Sequence, residues 1–463
     1  MKIAVTLASL LLFVVLATAN GAGYRYGVSD EAAYVPAVML AENPAAFPHD
    51  ASLIRTQGQF FIFDDIMGGI GRATGTSLES LFLAAYLISI AAVWIGVVLL
   101  GRQLYQSVWL AIAFGALITL RHHIPRTSVN SLEPYFQARV LAFGIGIAAV
   151  AMFLRQRQMA AVALVALAGF CHATTGLWFA ILIGTALMIL DRRWRMPGAV
   201  VIAVAVISLV WRMATGPSMD PIWIEALGGR DFIFANEWPL SAWLTNVGFL
   251  AALWATHAVR VRRGTATSFD AALMWGATAL VALFMLTLPS VAAHVALAVQ
   301  FQFSRQAMMF ALVLLAVSAA RGAYVMTQEH AERSLFQVSL PESPWVEAMH
   351  WLASRPLNAH VLADPGHAFK YGLSVRVASG RDVLLEDDKD AAVAMYSRAI
   401  AGRVVDRRRA LADFPSLTAA RARALAAQYD LDYLVTEATL PLPEVYRNAQ
   451  FRIYALKPGG PAS

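Results

Sequence analysis

The sequence predicts an α-helical polytopic membrane protein with about ten transmembrane helices and a small C-terminal α/β domain. Its 463 residues are 59% hydrophobic and only 14% charged, with a mean hydropathy of +0.58, whereas soluble domains average about 25% charged residues. Several uninterrupted apolar runs approach the roughly 20 residues that cross a bilayer. Beyond residue 340 the composition becomes that of a soluble protein, with short apolar strands between helical segments, which is typical of an α/β domain.

The predicted elements divide the chain into four regions. Residues 1–20 form a first transmembrane helix or a signal peptide, because the leader "MKIAVTLASLLLFVVLATANGAG" fits both. Residues 21–79 form an ordered outer loop with amphipathic helices, residues 80–325 a transmembrane bundle, and residues 341–463 the soluble α/β domain. The predicted spans are residues 3–20, 80–100, 107–121, 138–154, 159–173, 176–190, 198–213, 239–258, 271–289 and 304–320.

The basic residues follow a membrane topology rather than a nucleic-acid surface. The net charge is +6 and the isoelectric point is near 9.5, but much of the excess sits in short clusters after apolar runs, "RQRQ", "DRRWR" and "RVRR". This is the positive-inside bias, so nucleic acid is not an expected partner. With the first helix leaving the cytoplasm, ten spans put the C-terminal domain in the cytoplasm, and an eleventh crossing by residues 289–303 is the alternative. The single cysteine, Cys171, excludes an intrachain disulfide.

Two helices are predicted in the outer loop. Ser29 or Asp30 can cap a helix through "EAAYVPAVMLAEN", which Asn43 and the following proline end. The segment "SLIRTQGQFFIFDDIMGGIGRATG" reads as a second, amphipathic helix lying on the membrane and stopped by the glycines at 68, 69 and 71. A long ordered loop of this kind is usually functional.

The soluble segment alternates helices and strands. Trp345, Met349 and Leu352 have helical spacing in "SPWVEAMHWLASRP". The segments "HVLADP", "DVLLED", "DYLVTE" and "FRIYAL" are predicted as strands, and "AAVAMYSRAIAGRVVDRRRALADF" and "LTAARARALAAQYD" as helices.

Two adjacent acids, Asp30 and Glu31, stand near the start of the outer loop and are the candidate catalytic residues. One interpretation is helix capping with ordinary solvation. The other is a general base at the edge of the bilayer, where an apolar, desolvated surround would raise the pKa of the carboxyl towards a useful value. Tyr34 follows Asp30 by one helical turn and could orient it.

A basic cluster of His122, His123 and Arg126 lies in the outer segment "RHHIPRTSVN". The positive-inside bias does not place basic residues on this side. We interpret the cluster as a phosphate-binding surface, and simple anchoring at the membrane interface is the alternative.

Three further basic residues stand at the outer ends of predicted spans. Arg139 is expected either to pair, with Glu133 close by in the sequence, or to hold an anion. His172, beside two threonines, lines a polar pocket or packs as an ordinary histidine. Arg305 enters the last span from outside and is costly there unless it meets an anion such as phosphate.

The order of these segments resembles the GT-C superfamily of polytopic membrane glycosyltransferases, and within it a branch found in bacteria and plants. The resemblance covers most of the chain and rests on "DEAAYVPAVMLAENPAAFPHD", "EPYFQARVLAFGIG", "FCHATTGLWF", "FQFSRQAMMF" and "AFKYGLSVRVASGRDVLLEDDKDAAVAMYSRA". No single one of these stretches is specific.

The resemblance implies an inverting transferase in the bacterial inner membrane, with its active face outside. It would move a sugar from a polyprenyl-phosphate carrier, a lipid-linked co-substrate, to an acceptor hydroxyl. Asp30, with Glu31 as second choice, would activate the acceptor, and Arg139, His172 and Arg305 would hold the leaving phosphate. The first loop lacks an Asp-x-Asp or Glu-x-Asp triplet, so no metal ligand and no cofactor are assigned, and dependence on a divalent cation stays open. The C-terminal domain lacks a Trp-Trp-Asp-Tyr-type motif, which argues against transfer to asparagine.

Two other classes of function stay open besides the transferase. A transporter or lipid flippase would place charged residues near the middle of the bilayer and would show broken helices in symmetry-related halves. The charges here cluster at span ends, and no internal repeat is evident. A non-catalytic membrane scaffold that presents the α/β domain is the third class. The lipid bilayer is the one certain partner of any of them, and the sequence names no protein partner.

Overall fold

The computed structural model describes residues 2–58, 62–105, 107–120, 123–124, 126–127, 129–130, 132–228, 230, 232–305 and 335–457. These residues are mostly helical. The N-terminal and central helices are α1 (Lys2–Asn20), α2 (Glu31–Glu42), α3 (Ala51–Gly58), α4 (Phe63–Thr74), α5 (Leu78–Tyr105), α6 (Val108–Ile118), α7 (Ala138–Leu154), α8 (Gln158–Cys171), α9 (Ala173–Leu190), α10 (Arg195–Thr215), α11 (Pro221–Leu227), α12 (Leu240–Arg262), α13 (Ser268–Ala292) and α14 (Ala296–Phe301). The C-terminal helices are α15 (Pro344–Ala353), α16 (His367–Lys370), α17 (Val375–Ser379), α18 (Asp387–Ala394), α19 (Arg398–Ala410) and α20 (Ala419–Tyr429). The strands are β1 (Tyr24–Arg25), β2 (His123–Ile124), β3 (Val129–Asn130), β4 (Phe336–Gln337), β5 (His360–Leu362), β6 (Asp382–Val383), β7 (Tyr433–Thr436), β8 (Glu444–Arg447) and β9 (Arg452–Ala455).

The chain forms two compact units, each built from separate segments. The bundle unit comprises Met1–Tyr24, Ala84–Ser218 and Gly229–Phe336. The sheet unit comprises Arg25–Leu83, Met219–Gly228 and Gln337–Ser463.

The prediction of a membrane protein is supported by the helices. Within the described ranges, five helices are long and apolar enough to cross a bilayer, and three shorter apolar helices accompany them. The five are Ile3–Asn20, Leu78–Tyr105, Ala173–Leu190, Arg192–Thr215 and Ser268–Ala292. Most of the tenth predicted span, residues 304–320, lies outside the described residues.

Close helix packing in the bundle unit depends on small residues. A Cβ at Gly144 of α7 would lie 2.5 Å from the backbone nitrogen of Val93 in α5, and one at Gly146 would overlap the ring of Phe179. Because lipid tails are as apolar as the side chains, membrane helices associate through such close van der Waals packing.

The segment that was the alternative eleventh crossing does not cross. Helix α13 continues to Ala292, and α14 has only six residues, Ala296–Phe301. At 1.5 Å per residue, α14 is about 9 Å long, against a hydrocarbon core of about 30 Å. A crossing by residues 289–303 is therefore wrong.

The sheet unit contains a five-stranded mixed sheet in the order β6-β5-β7-β9-β8. Strand β5 pairs in parallel with β6 and β7, and β9 pairs antiparallel with β7 and β8. Helix α15 buries Trp345, Met349 and Leu352 in the core beside the sheet, as their helical spacing predicts. The four predicted strands are present, β8 is an additional one, and the helix predicted across "AAVAMYSRAIAGRVVDRRRALADF" is two helices, because Ser397 caps α19 and breaks the run.

The outer loop also differs from its prediction. Helix α2 ends before Asn43, as predicted, but the second segment forms two helices, α3 and α4, and the glycines do not stop α4. It ends instead at Gly75, which has a φ of +67°. Gly68 and Gly71 face α2: a Cβ at Gly68 would lie 2.9 Å from that of Ala41, and one at Gly71 would overlap the Glu42 carboxylate. Their missing side chains thus allow two helices to approach closely.

Contacts inside the sheet unit decide which segments share a side of the membrane. Arg376 Nε donates to the Asp50 carboxylate at 2.8 Å, and Trp223 Nε1 donates to the Ala394 carbonyl at 2.8 Å. Because a bilayer cannot lie between hydrogen-bonded groups, the first loop, residues 219–228 and the C-terminal segment lie on one side. The prediction of an outer first loop with a cytoplasmic C-terminal domain is therefore wrong.

Candidate functional site

The candidate acid Asp30 is the N-cap residue of α2, but its side chain makes no capping hydrogen bond. Its carboxylate accepts a hydrogen bond from Lys389 Nζ at 3.1 Å. The two side chains are 40% and 16% exposed, respectively. Asp30 is thus held at the start of a helix by a lysine from α18, while part of its carboxylate faces solvent.

The neighbourhood of Asp30 contains a cation, where the sequence suggested an apolar surround. Burial lowers the pKa of Lys389, but Asp30 and Asp388 raise it further, so that it lies above its usual value. Lys389 is therefore charged at neutral pH, and its ammonium group lies next to the Asp30 carboxylate.

The second candidate acid, Glu31, has a different environment. Its side chain is fully buried, and its carboxylate accepts a hydrogen bond from the Gly27 backbone N–H at 2.7 Å. Gly27 has a φ of +81°, a conformation that favours glycine. Glu31 thus stabilises the turn that precedes α2, which suits a structural role better than proton transfer.

Tyr34 lies one turn after Asp30 on α2. Its side chain is half-buried, and its backbone N–H donates to the Asp30 carbonyl at 3.3 Å. All three residues belong to the sheet unit.

The basic candidates Arg139, His172 and Arg305 belong to the bundle unit, where the fold brings them near one another. His172 lies close enough to Arg139 and Arg305 for their charges to act on it. It is the N-cap of α9, and its Nδ1 accepts a hydrogen bond from the Thr175 backbone N–H. Because Nδ1 acts as an acceptor, His172 is a neutral imidazole with its proton on Nε2.

Arg139 stands in the first turn of α7 and is buried. Its Nη2 donates to the Glu133 carboxylate at 3.2 Å, and Asn130 donates to the same carboxylate at 3.1 Å and 3.2 Å. The pairing with Glu133 is one of the two expectations for this arginine. The charge of Arg139 is thereby balanced within the bundle unit.

Arg305 meets two groups of the bundle unit. Its Nε donates to the Thr127 carbonyl at 3.3 Å, and its guanidinium lies over the ring of Phe232 at 4.9 Å from the centroid. A cation over an aromatic face is stabilised by the quadrupole of the ring. This geometry orients the Arg305 side chain.

The other basic candidates are only partly described. His122 lies outside the described residues, and of His123 the structure gives the backbone, which pairs with Asn130 between β2 and β3. Arg126 is exposed, with a φ of +59°. Whether these three residues bind phosphate stays a prediction.

A buried ionic network in the sheet unit has no counterpart in the sequence analysis. Arg376 donates to Asp390 through Nη1 at 2.7 Å and Nη2 at 3.0 Å, and through Nε to Asp50. Asp50 also accepts from Arg403 and from the Val383 backbone N–H. All three charged groups at its centre, Asp50, Arg376 and Asp390, are buried, so the network ties the first loop to the sheet.

One carboxyl group beside this network differs from the rest. Glu386 is fully buried, accepts a hydrogen bond from Ser374, and lies 4.0 Å from His367 Nε2. The pKa of Glu386 is raised to about 7, mainly by burial; Arg376 opposes this rise and Asp390 adds to it. Burial likewise lowers the pKa of His367 to about 4. Neither residue carried a sequence signal: Glu386 begins the charged run "EDDKD", in which nothing distinguishes the buried acid from its exposed neighbours.

Within the described part of the chain, no group of three His, Cys, Asp or Glu side chains is arranged to hold a metal ion. Dependence on a divalent cation stays open.

Comparison with known proteins finds similar solved structures, one of which is an oligosaccharyltransferase. No protein-family model matches the chain, and no curated protein does. The crystal structure of an oligosaccharyltransferase from Archaeoglobus fulgidus, in its apo form, is similar over 93% of this chain and 69% of that chain, with 12% sequence identity and a TM-score of 0.47. This similarity is too low to assign a fold, and the proposals below rest on the chain's own residues.

Proposed function

We propose that this protein is a membrane glycosyltransferase that moves a sugar from a polyprenyl-phosphate carrier to an acceptor hydroxyl, with inversion at the anomeric carbon. The observation that carries the proposal is that Arg139 and Arg305, from distant segments of the bundle unit, contact the same short stretch: Arg305 donates to the Thr127 carbonyl and Arg139 to the Glu133 carboxylate. Cationic side chains inside a helical bundle are costly and usually mark a functional site. A phosphate group is the anion that arginine side chains bind best.

The roles divide between the basic residues. Arg305 donates to a carbonyl oxygen and lies over an aromatic ring, and these contacts orient the guanidinium that would hold the phosphate of the donor. Arg139 is balanced by Glu133 and holds the polar framework. His172, as a neutral imidazole, offers a hydrogen bond through its second ring nitrogen.

Asp30 is the candidate general base. Its carboxylate is partly exposed, makes no capping hydrogen bond and lies 3.1 Å from Lys389 Nζ, and a base must be unprotonated to accept a proton. In the reaction, Asp30 would accept the proton of the acceptor hydroxyl. The oxygen of that hydroxyl would attack the anomeric carbon of the sugar while the bond between this carbon and the carrier phosphate breaks. The electrons of the broken bond would go to the carrier phosphate, which leaves as an anion.

The proposal is tested by separating carrier binding from transfer. Purified protein is analysed by native mass spectrometry with added polyprenyl phosphate, and membranes are analysed for loss of carrier-linked sugar by chromatography and mass spectrometry of lipid extracts. Arg305→Gln should weaken binding of polyprenyl phosphate about tenfold or more, since a charge-assisted hydrogen bond contributes roughly 1.5–3 kcal/mol. Asp30→Asn should abolish turnover and leave carrier binding intact.

Asp388→Asn is the matched control for Asp30. Asp388 also faces Lys389, at 3.6 Å, and its side chain is 55% exposed, so the two substitutions remove the same charge from the same neighbourhood. Only Asp30→Asn should stop turnover. Equal activity of the two variants would exclude Asp30 as the base, and unchanged carrier binding in Arg305→Gln would exclude the phosphate site.

The outer location of the active face needs its own measurement. In a Cys171→Ala background, Thr76→Cys in the first loop and Phe369→Cys in the C-terminal segment are both exposed. A membrane-impermeant maleimide added to intact cells should label both. Labelling of neither until the cells are lysed would place the sheet unit in the cytoplasm.

A further inference from the structure

One end of the bundle unit carries an open groove that no proposed step of transfer uses. It has a volume of about 640 Å³, within the roughly 300–1,000 Å³ typical of ligand sites. Its walls come from the turn between α7 and α8, the turn between α9 and α10, and the start of α13. The groove therefore lies where three helix connections meet.

The lining of the groove is cationic at its mouth. Arg157 and Arg193 are both exposed there, and among the described residues that line it none is acidic. Arg193 also contacts Asp191 at 3.1 Å, outside the lining. Trp194 Nε1 donates to Gln158 Oε1 at 2.8 Å, which joins the two turns and fixes the shape of the groove.

The flank of the groove is apolar and uncovered. Helix α10, which begins at the groove, has no buried residue, and Met159, Met196 and Val200 are 71%, 73% and 56% exposed. A helix as apolar and long as α10 meets the composition of a membrane span. Exposed apolar side chains on such a helix face lipid chains, and tryptophan is enriched at the level of the headgroups.

We propose that this groove binds an anionic phospholipid, with its phosphodiester beside Arg157 and Arg193 and its acyl chains along α10. The positive-inside bias alone would explain basic residues at this end, but it predicts no groove, no fixed wall and no difference between individual arginines. Basic pockets at the ends of membrane helices are a recurrent way of holding anionic headgroups. The site lies within the bundle unit and does not depend on transferase activity.

The test uses the full-length protein in detergent and native mass spectrometry. Phosphatidylglycerol and phosphatidylcholine with identical acyl chains are titrated separately, and the apparent Kd of the first bound lipid is measured for each. The double variant Arg157→Gln with Arg193→Gln should weaken phosphatidylglycerol binding about tenfold and leave phosphatidylcholine binding unchanged. The matched control, Arg262→Gln with Arg263→Gln, removes two exposed arginines of the α12–α13 connection and should change neither.

Two results would overturn the proposal. Equal weakening in the two double variants would mean that the effect is general surface charge rather than a site. Full competition by millimolar glycerol phosphate would mean that a soluble anion, not a lipid, occupies the groove. Equal melting temperatures for all variants, expected for exposed positions, show that the comparison is between folded proteins.

Discussion

The substitution Asp50→Asn tests whether the buried network holds the first loop on the sheet. Asp50 is fully buried, and its carboxylate accepts hydrogen bonds from Arg376, Arg403 and the Val383 backbone N–H. Burial raises the pKa of Asp50, but Arg376 and Arg403 outweigh this and hold it well below its usual value. The charged form is therefore the one that stabilises the fold.

The size of the effect follows from what the substitution leaves behind. An asparagine keeps the volume but removes the negative charge, so Arg376 and Arg403 lose a buried counter-ion. Breaking a buried ion pair in this way costs about 3–5 kcal/mol. A lowered pKa contributes its full stabilisation only at a pH above the pKa that the group has in the unfolded chain. The variant should therefore differ most from wild type at neutral pH and progressively less as the solution becomes acidic.

Hydrogen exchange followed by mass spectrometry reports the change locally. In Asp50→Asn, peptides that contain Asp382 and Val383 of β6 should lose protection by a hundredfold or more at pH 7, because about 3 kcal/mol corresponds to more than two powers of ten. The control Asp388→Asn removes an exposed acid and should change protection little. Equal protection in wild type and Asp50→Asn would refute the argument that this carboxylate joins the loop to the sheet.

Three further predictions concern the sheet unit. Gly68→Ala should lower the free energy of unfolding by about 1–3 kcal/mol, because its Cβ would lie 2.9 Å from an atom of the neighbouring helix α2. Gly69→Ala, whose Cβ would have nothing within 4 Å, should raise the free energy of unfolding by about 0.5–1 kcal/mol. Chemical denaturation compares the two variants, and equal effects would contradict the packing of α4 on α2. The pKa of Glu386 is raised to about 7 in the folded protein, so the wild type loses stability when this carboxyl group ionises. Glu386→Gln should therefore gain stability relative to wild type as the pH rises from about 4.5 to above 7, by up to about 3 kcal/mol. Melting temperatures at pH 5 and pH 8 measure this difference, and a difference that does not depend on pH would contradict it. An NBD probe at Ile70→Cys, on the exposed face of α4, should be quenched by doxyl lipids more than one at Asp65→Cys, and equal quenching would contradict the expectation that α4 lies on the membrane.

Local patterns in the sequence identified several elements correctly. The spacing of Trp345, Met349 and Leu352 marks the buried face of α15, and Asn43 with the proline after it ends α2. These features depend on residues within one or two helical turns, where periodicity and backbone preferences act directly. The glycines of α4 misled the prediction, since the same residue that breaks an isolated helix also permits close contact with another helix.

The partners of the candidate site residues were not predictable in this way. Asp30 meets Lys389 across 359 positions of sequence, and Asp50 meets Arg376 across 326. Lys389 and Asp50 both lie in stretches that carry the resemblance, but nothing in those stretches marks them as partners of Asp30 and Arg376, so only folding shows these two pairs. Arg139 was the exception, because its partner Glu133 is six residues away.

The sequence by itself determined that the chain enters a membrane, where its long apolar runs lie and where its sheet-forming segment begins. These properties follow from composition and from short-range periodicity. Only the tertiary structure decided that Asp30 faces a lysine rather than an apolar surround, that Arg139, His172 and Arg305 lie near one another, and that the first loop shares a side of the membrane with the C-terminal segment. The physical reason is the same in each case: the free energy of a buried charge depends on a counter-charge that is close in space, and such partners come from distant parts of the chain.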